Sequence, residues 1–340
     1  MIRSVLERVR QGQCLERSEM RELIHEILRA EPAEEEVGAL LLALHTRGET
    51  DEEIVGAAEA LRELARPLPE APADAIDTCG TGGDGRGTFN ISTVAALVVA
   101  GAGIPVAKHG NRAATSRCGS ADVLEALGVR LDLSPERMAA SVHEVGIGFL
   151  FARACHPAMA RVASLRRRLQ APTLFNRLGP LTNPMRVRRQ LVGVADAAHA
   201  PATRQVLRRL GSERVCIVSA EDGLDEASTC SVTRFWSYAD GAEGECRLSP
   251  GTLLPLAKLE DLRGGDAAES AHLAREVLTG TPGPRRDVVL LNTAAALCVA
   301  GRAHDLEQGL GLAAEAIDSG AAEEKLVRWI EFCRDAERSP

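Results

Sequence analysis

Between Ala75 and Gly110 the chain runs strand, glycine-rich turn, helix, strand, and no other feature restricts its fold as strongly. A short predicted strand, Ala75–Cys79, leads into Gly80-Thr81-Gly82-Gly83-Asp84-Gly85. Asn90-Ile-Ser92-Thr93 then supplies cap and hydroxyl groups at the start of an Ala/Val-rich helix, Ser92–Ala102, with Gly103 past its end. Ile104–Ala107 reads as the next strand, and Lys108-His109-Gly-Asn111-Arg112 as a polar loop after it. Two parallel strands joined through a helix form the unit of an α/β fold.

The same alternation continues. Asp122–Leu127 is predicted helical, and Ser134-Pro135 opens another helix that Gly146 ends. Ile147–Phe151, Gln190–Ala195 and Arg214–Ala220 are predicted strands, and Thr233–Tyr238 with Glu245–Leu248 form a hairpin around Asp240-Gly241. From about Asp266 the pattern is helical. The first 66 residues carry helix signals only: Met1–Arg10, Met20–Leu28, Val37–Leu44, and a fourth helix opened by the capping box Thr50-Asp-Glu-Glu53. A Pro/Ala-rich joint, 67–73, follows. The expected fold class is α/β, a mostly parallel central sheet flanked by helices, with a smaller all-helical N-terminal domain. That domain spans 1–66, joined by helices near 157–185, and the α/β domain spans 74–340.

Composition narrows the function. With 40 basic against 48 acidic residues the formal net charge is −8, which argues against a nucleic-acid partner. At 3% aromatic residues the chain has little from which to build a base-stacking platform. Nine cysteines in no CxxC pair read as reduced thiols, not a disulfide frame or zinc site. Met1–Arg10 has no apolar signal core, and no run is long enough to span a membrane. A soluble cytoplasmic protein is expected.

Gly80 to Gly85 formally matches the dinucleotide pattern G-x-G-x-x-G. Asp84 would repel a bare pyrophosphate, however, and the next strand ends in Lys108-His109 instead of an acid for a ribose hydroxyl. Phosphate accompanied by a divalent cation accommodates Asp84, the helix start and Lys108 together. Asp225-Glu226, after the predicted strand Arg214–Ala220, can hold Mg²⁺; on residues alone an exposed acidic turn is the commoner reading. Arg166 lies on or beside the apolar stripe Met159, Val162, Leu165, Leu169 of a helix over 157–169. An inward Arg needs an anion, either a core acid in a structural ion pair or a ligand carboxylate. His156, before Pro157, reads as the structural cap of that helix.

Residues 77–128 resemble the anthranilate phosphoribosyltransferase family, through Gly80–Asp84, Asn90–Thr93, Lys108–Arg112 and Gly119-Ser120-Ala-Asp-Val-Leu-Glu-Ala-Leu-Gly128. The likeness continues through Phe149–Ala152, His156–Met159, Phe175-Asn176, Leu178-Gly179-Pro180-Leu-Thr-Asn-Pro184 and Gly223–Glu226, over nearly the whole chain. It implies that the amine of anthranilate displaces pyrophosphate from phosphoribosyl pyrophosphate, with Mg²⁺ as cofactor, in tryptophan synthesis. It implies that Gly80, Thr81, Gly82, Gly83, Asp84 and Ser92 hold the pyrophosphate end, and Asn90, Thr93 and Lys108 the 5-phosphate. Thr88 and Ser120 belong to the same donor site. Anthranilate falls to Gly80, His109, Asn111, Arg166, Gly179 and Pro180, and the metal to Ser92, Asp225 and Glu226. His109 is the catalytic candidate, as orienter of the amine or relay of its proton. A homodimer through the N-terminal helical domain is also implied.

The chain departs from the family pattern in places. Thr115-Ser116-Arg117 stands where Ser-Ser-Lys is frequent, Cys118 replaces a small residue, and Cys155 stands where an aromatic or His is frequent. Gln170-Ala-Pro172-Thr173 replaces Gly-x-Arg-Thr, removing a cation and a backbone donor beside the acceptor pocket. A nucleoside phosphorylase would not need Asp225-Glu226 with Arg166, and a DNA-binding relative would need a basic face.

Overall fold

The computed structural model describes residues 2–29, 32–113 and 117–335. Met1, Thr115 and Ser116, which figured in the sequence reading, lie outside the described residues. The helices are α1 (Ile2–Arg10), α2 (Arg17–Arg29), α3 (Glu34–Arg47), α4 (Asp51–Leu64), α5 (Ile91–Gly101), α6 (Ser120–Leu127), α7 (Pro135–Glu144), α8 (Ala152–Cys155), α9 (Ala160–Leu169), α10 (Phe175–Leu178), α11 (Ala200–Arg209), α12 (Ala267–Leu278), α13 (Pro284–Ala300), α14 (Leu306–Asp318) and α15 (Ala321–Asp335). The strands are β1 (Ile76–Gly80), β2 (Val106–Gly110), β3 (Ile147–Phe151), β4 (Arg189–Gly193), β5 (Arg214–Ala220), β6 (Thr233–Ala239) and β7 (Ala242–Leu248).

They form one sheet in the order β3-β2-β1-β4-β5-β6-β7. The first five strands are parallel, and β6 and β7 are an antiparallel hairpin on the edge. Its turn is Asp240-Gly241, both with positive φ, as a tight hairpin requires. One face of the sheet is buried under α5 and α12–α15, whose Ala, Val and Leu residues make a continuous core with Ile76, Val106 and Leu191. On the other face Val192, Ile217 and Trp236 join the apolar sides of α1–α4, α9 and α10. The expected capping box is present: Thr50 Oγ1 accepts the Glu53 N–H, and Glu53 accepts the Thr50 N–H. Such a cap contributes about 1 kcal/mol. Glu53 is also fully buried, and its second oxygen accepts the Leu15 N–H, tying the α1–α2 link to α4.

The chain reverses direction across the sheet between β1 and β4, so a crevice opens at their C-terminal ends. The 67–73 joint is held where the Arg66 N–H donates to Cys155 O (2.8 Å) and the Ala71 N–H to Met185 O (3.3 Å).

Some expected boundaries move. β2 starts at Val106, because Pro105 has no N–H to give, and it runs on through Lys108, His109 and Gly110. Lys108 and His109 are therefore buried strand residues, 3% and 7% exposed, and not a loop. The 157–169 helix opens as a 3₁₀ turn, Pro157–Met159. His156 precedes it but caps nothing with its side chain; instead its ring packs on His109, centroids 5.2 Å apart.

Candidate active site

The glycine-rich turn leaves β1 at Gly80. Gly82, Gly83, Gly85 and Gly87 all hold positive φ, which side-chain-bearing residues adopt at a cost. The turn is anchored at one end by the Thr81 N–H donating to Gly193 O (2.9 Å). At the other end Phe89 N–H donates to Leu262 O and Gly264 N–H to Gly87 O, placing Thr88 in a bridge with Arg263. Asp84 is half-buried inside the turn and accepts the Arg86 N–H. Burial raises its pKa.

Asp225 and Glu226 come to this turn from the loop after β5. Asp225 Oδ2 accepts the Gly82 N–H (2.9 Å), and Glu226 Oε1 accepts the Ser92 N–H at the first turn of α5 (3.1 Å). A carboxylate on free N–H groups at a helix start is favoured by the helix dipole. The acids are thus half-buried and committed to the phosphate turn, and the exposed-turn reading is overturned. Burial raises the pKa of Glu226, and the charge of Asp225 adds to it; burial raises Asp225, with Asp84 adding. The Lys108 ammonium opposes both shifts. Such a cluster fits a divalent cation that brings the missing positive charge. Among the described residues no three His, Cys, Asp or Glu side chains converge as a closed cage. One or two carboxylates with water and substrate phosphate is the usual arrangement for Mg²⁺.

Two glycines allow this approach. A Cβ on Gly80 would lie 2.7 Å from Asp225 Oδ2, and one on Gly193 only 1.6 Å from the Asp225 carbonyl oxygen. Gly193 escaped the sequence reading, although a lone glycine inside a predicted strand is the usual sign of a close backbone approach.

Lys108 does not reach outward. Its ammonium donates to Thr78 O and to Ser92 Oγ (3.4 Å), between β1 and the start of α5. Nearby, Asn90 Nδ2 donates to Cys118 O (3.2 Å), while Asn90 Oδ1 and Thr93 Oγ1 are buried without a partner. Asn90 precedes α5 but makes no side-chain cap bond. The unpartnered Thr93 hydroxyl, beside an ammonium and a helix start, suits an anionic ligand, whereas Asn90 Oδ1 can only accept and suits a ligand hydroxyl or a cation. Arg112, by contrast, is turned onto Asp122 and Glu125, and the Asp122 carboxylate takes the Gly119 and Ala113 N–H groups at the start of α6. Ser120 Oγ donates to Asn111 O (3.1 Å), so these two residues are held together, with Asn111 exposed.

The residues expected on the acceptor side are His109, Gly179, Pro180 and Arg166. His109 Nδ1 is 3.1 Å from Gly179 O, which makes it the protonated nitrogen and leaves Nε2 as an acceptor. Nε2 is buried without a partner. Burial, followed by the neighbouring His156, lowers the His109 pKa to about 3, so the ring is neutral. Pro180 is fixed by Gln190 Nε2 donating to its carbonyl (2.8 Å). In front of Gly179 there is open space, with nothing within 4 Å of a Cβ placed there. Arg166 is half-buried on α9, its guanidinium 5.7 Å from the Phe175 ring centre. Burial alone lowers its pKa, and no acid among the described residues pairs with it. The structural ion pair considered from sequence is absent among them. Cys155 is fully buried, its pKa pushed up to about 12 by burial, so it presents no thiolate. Pro172 is exposed in the link between α9 and α10.

Two residues without a sequence-based role complete the frame. Asp77 is fully buried in β1 and accepts the His109 N–H (3.1 Å) and Asn183 Nδ2 (2.9 Å). Burial pushes its pKa up to about 6, against the pull of Lys108. The available signal was an acid inside a predicted strand.

Comparison with known proteins gives a consistent result. Residues 72–323 match the glycosyl transferase family a/b domain, and residues 3–65 the helical bundle domain of that family. The anthranilate phosphoribosyltransferase of Parvibaculum lavamentivorans is 47% identical over 329 residues, covering 96% of each chain. The crystal structure of anthranilate phosphoribosyltransferase from Thermus thermophilus superposes with a TM-score of 0.91 at 42% identity, over 97% of this chain and 99% of that one. The Saccharomyces cerevisiae enzyme in complex with PRPP and Mg superposes with a TM-score of 0.87 at 27% identity, over 98% of each chain.

Proposed function

The chain belongs to the anthranilate phosphoribosyltransferases of the glycosyl transferase family, and we infer from that membership and from its site that it moves the phosphoribosyl group of phosphoribosyl pyrophosphate onto the amine of anthranilate. The products are phosphoribosyl-anthranilate and pyrophosphate, and the reaction belongs to tryptophan synthesis. The observation that carries this reading is the acid pair assembled on the phosphate turn, Asp225 on Gly82 N–H and Glu226 on Ser92 N–H.

The donor residues divide by position. Gly80–Asp84 and Ser92 take the pyrophosphate end. Asn90, Thr93 and Lys108 take the 5-phosphate, with the orphaned Thr93 Oγ1 as the supporting observation. Thr88 and Ser120 border them. Asp225, Glu226 and Ser92 hold Mg²⁺, which supplies charge to the leaving pyrophosphate. On the acceptor side, Arg166 receives the anthranilate carboxylate, and Asn111, Gly179 and Pro180 shape the pocket with Gly80. His109 holds the amine: its Nε2 accepts an N–H, and a ring with a pKa near 3 orients the amine instead of carrying its proton. The neutral aromatic amine attacks C1, the bond from C1 to the pyrophosphate oxygen breaks, the proton released from the amine goes to the departing pyrophosphate, and no enzyme nucleophile is needed. The helical unit, 1–66 with 157–185, closes on the α/β unit, 74–340, and excludes competing water.

Arg166→Ala tests the acceptor assignment. Steady-state turnover followed by anthranilate fluorescence is expected to show the anthranilate KM raised about tenfold to hundredfold, the scale of one lost charged hydrogen bond. The phosphoribosyl pyrophosphate KM stays within about twofold. An unchanged anthranilate KM assigns the carboxylate elsewhere. The helical unit is also the dimer interface in this reading, on the strength of the exposed apolar Leu42 on α3. Light scattering is expected to return twice the 36.1 kDa chain mass, and the chain mass alone refutes it.

A further inference from the structure

We infer that Asp77 is a positioning residue that locks the acceptor side of the site to the donor side; the inference rests on the reaction proposed above. The β1–β2 ladder has the single register pair Ile76↔Val106, whereas β1–β4 and β2–β3 each pair along five residues. β1 and β2 therefore part on their way to the site, and side chains take over the lost backbone bonds. The Asp77 carboxylate accepts the His109 N–H (3.1 Å), and the Lys108 ammonium donates to Thr78 O.

The other oxygen of Asp77 accepts Asn183 Nδ2 (2.9 Å). That amide also donates to Ala107 O (2.8 Å), and Asn183 Oδ1 accepts the Met185 N–H (3.0 Å). Asn183 lies just past the Gly179–Leu181 turn, whose Gly179 carbonyl holds the His109 ring. The bonds close a circuit: Asp77 grips the His109 main chain, Gly179 grips its ring, and Asn183 returns the Gly179 segment to Asp77. The circuit fixes where His109 Nε2 and the acceptor pocket stand relative to the phosphate turn, which begins three residues after Asp77 on the same strand. Both groups aimed at Asp77 through these bonds are donors, so a carboxylate suits the position, and an amide there must set its own NH₂ against one of them.

Asp77→Asn is expected to lower kcat/KM for anthranilate about thirtyfold to hundredfold, mostly through KM, while the phosphoribosyl pyrophosphate KM stays within about twofold. Adding Asn183→Asp restores a carboxylate–amide pair in reverse but sets a carboxylate oxygen against Ala107 O, where the amide had donated, so it is expected to recover part of the anthranilate loss, about twofold to fivefold. Asn183→Ser, which leaves β1 intact, is expected to repeat the anthranilate-selective loss, and it decides the matter if Asp77→Asn does not fold. Unchanged anthranilate constants in these variants overturn the inference. So does a parallel rise in both substrates' KM that the reversed pair does not relieve, because that is the signature of a merely structural acid. Wild-type protein assayed alongside separates the two levels: its inactivity refutes the proposed reaction, and activity with unaffected variants refutes only the role of Asp77.

Discussion

Glu226→Gln and Asp225→Asn are each expected to lower kcat/KM for phosphoribosyl pyrophosphate by about a hundredfold to a thousandfold. That is the scale on which one preorganised charge-stabilising group acts in a water-poor site. The substitutions keep shape and keep an oxygen to accept the Ser92 or Gly82 N–H, so the turn and the start of α5 stay in place. What they remove is charge. In the wild type the two acids and Asp84 face the ammonium of Lys108 and, at Asp84, the guanidinium of Arg86, so the site is short of positive charge. In the reading proposed above the acids would hold Mg²⁺, which would correct that deficit, and each neutralised acid would weaken that hold. The check is turnover against Mg²⁺ concentration. The variants are expected to need at least about tenfold more Mg²⁺ for half-maximal rate, and EDTA is expected to abolish wild-type turnover. Variants that keep the wild-type Mg²⁺ dependence would show that this pair does not hold the metal. Thermal unfolding measured alongside reports whether a loss of activity is a loss of fold.

The legible parts of this molecule are the local ones. The period of the apolar residues and the position of glycines located β1, α5, β3, β5 and the β6–β7 turn within a residue or two, because each is decided over a short window. The Thr50–Glu53 box was legible for the same reason. Lys108 and His109 misled because a charged residue followed by a glycine looks like a loop; only the bonds to Thr78 and Gly179, 30 and 70 residues away in sequence, explain why they are strand residues inside the protein. Asp225 and Glu226 looked like surface acids for a similar reason, since Gly82 and Ser92 are 143 and 134 residues distant. Asp77 with Asn183, 106 residues apart, had no local signal beyond an acid in a predicted strand. The family likeness gave the reaction and named candidate site residues, while the spacing of carboxylates, amides and glycines around them exists only in the folded chain.

Gly193→Ala is expected to be as damaging as loss of an acid, although it adds one methyl group and removes nothing. Gly193 ends β4 opposite Gly80 on β1 and Val218 on β5. A Cβ there would lie 1.6 Å from the Asp225 carbonyl oxygen, 2.6 Å from its carbonyl carbon and 3.3 Å from its Cβ. The two nearest are main-chain atoms, not the end of a mobile side chain, so either the 225–226 loop or the strand has to move by more than about an ångström. Moving the strand also moves the phosphate turn, because the Gly193 carbonyl accepts the Thr81 N–H. Either way the acids and the turn lose their spacing, and a misplacement of that size costs about a hundredfold in rate. We expect kcat/KM for phosphoribosyl pyrophosphate to fall at least about a hundredfold, with a loss of stability of about 1–3 kcal/mol from overpacking. Gly311→Ala is the contrasting case: no atom lies within 4 Å of the added methyl, the site is on α14, and alanine favours a helix. Its activity and stability are expected to match or slightly exceed the wild type. If Gly193→Ala behaves like Gly311→Ala, the Asp225 loop does not rest against β4, and the acid pair is not held on the phosphate turn by contact with that strand.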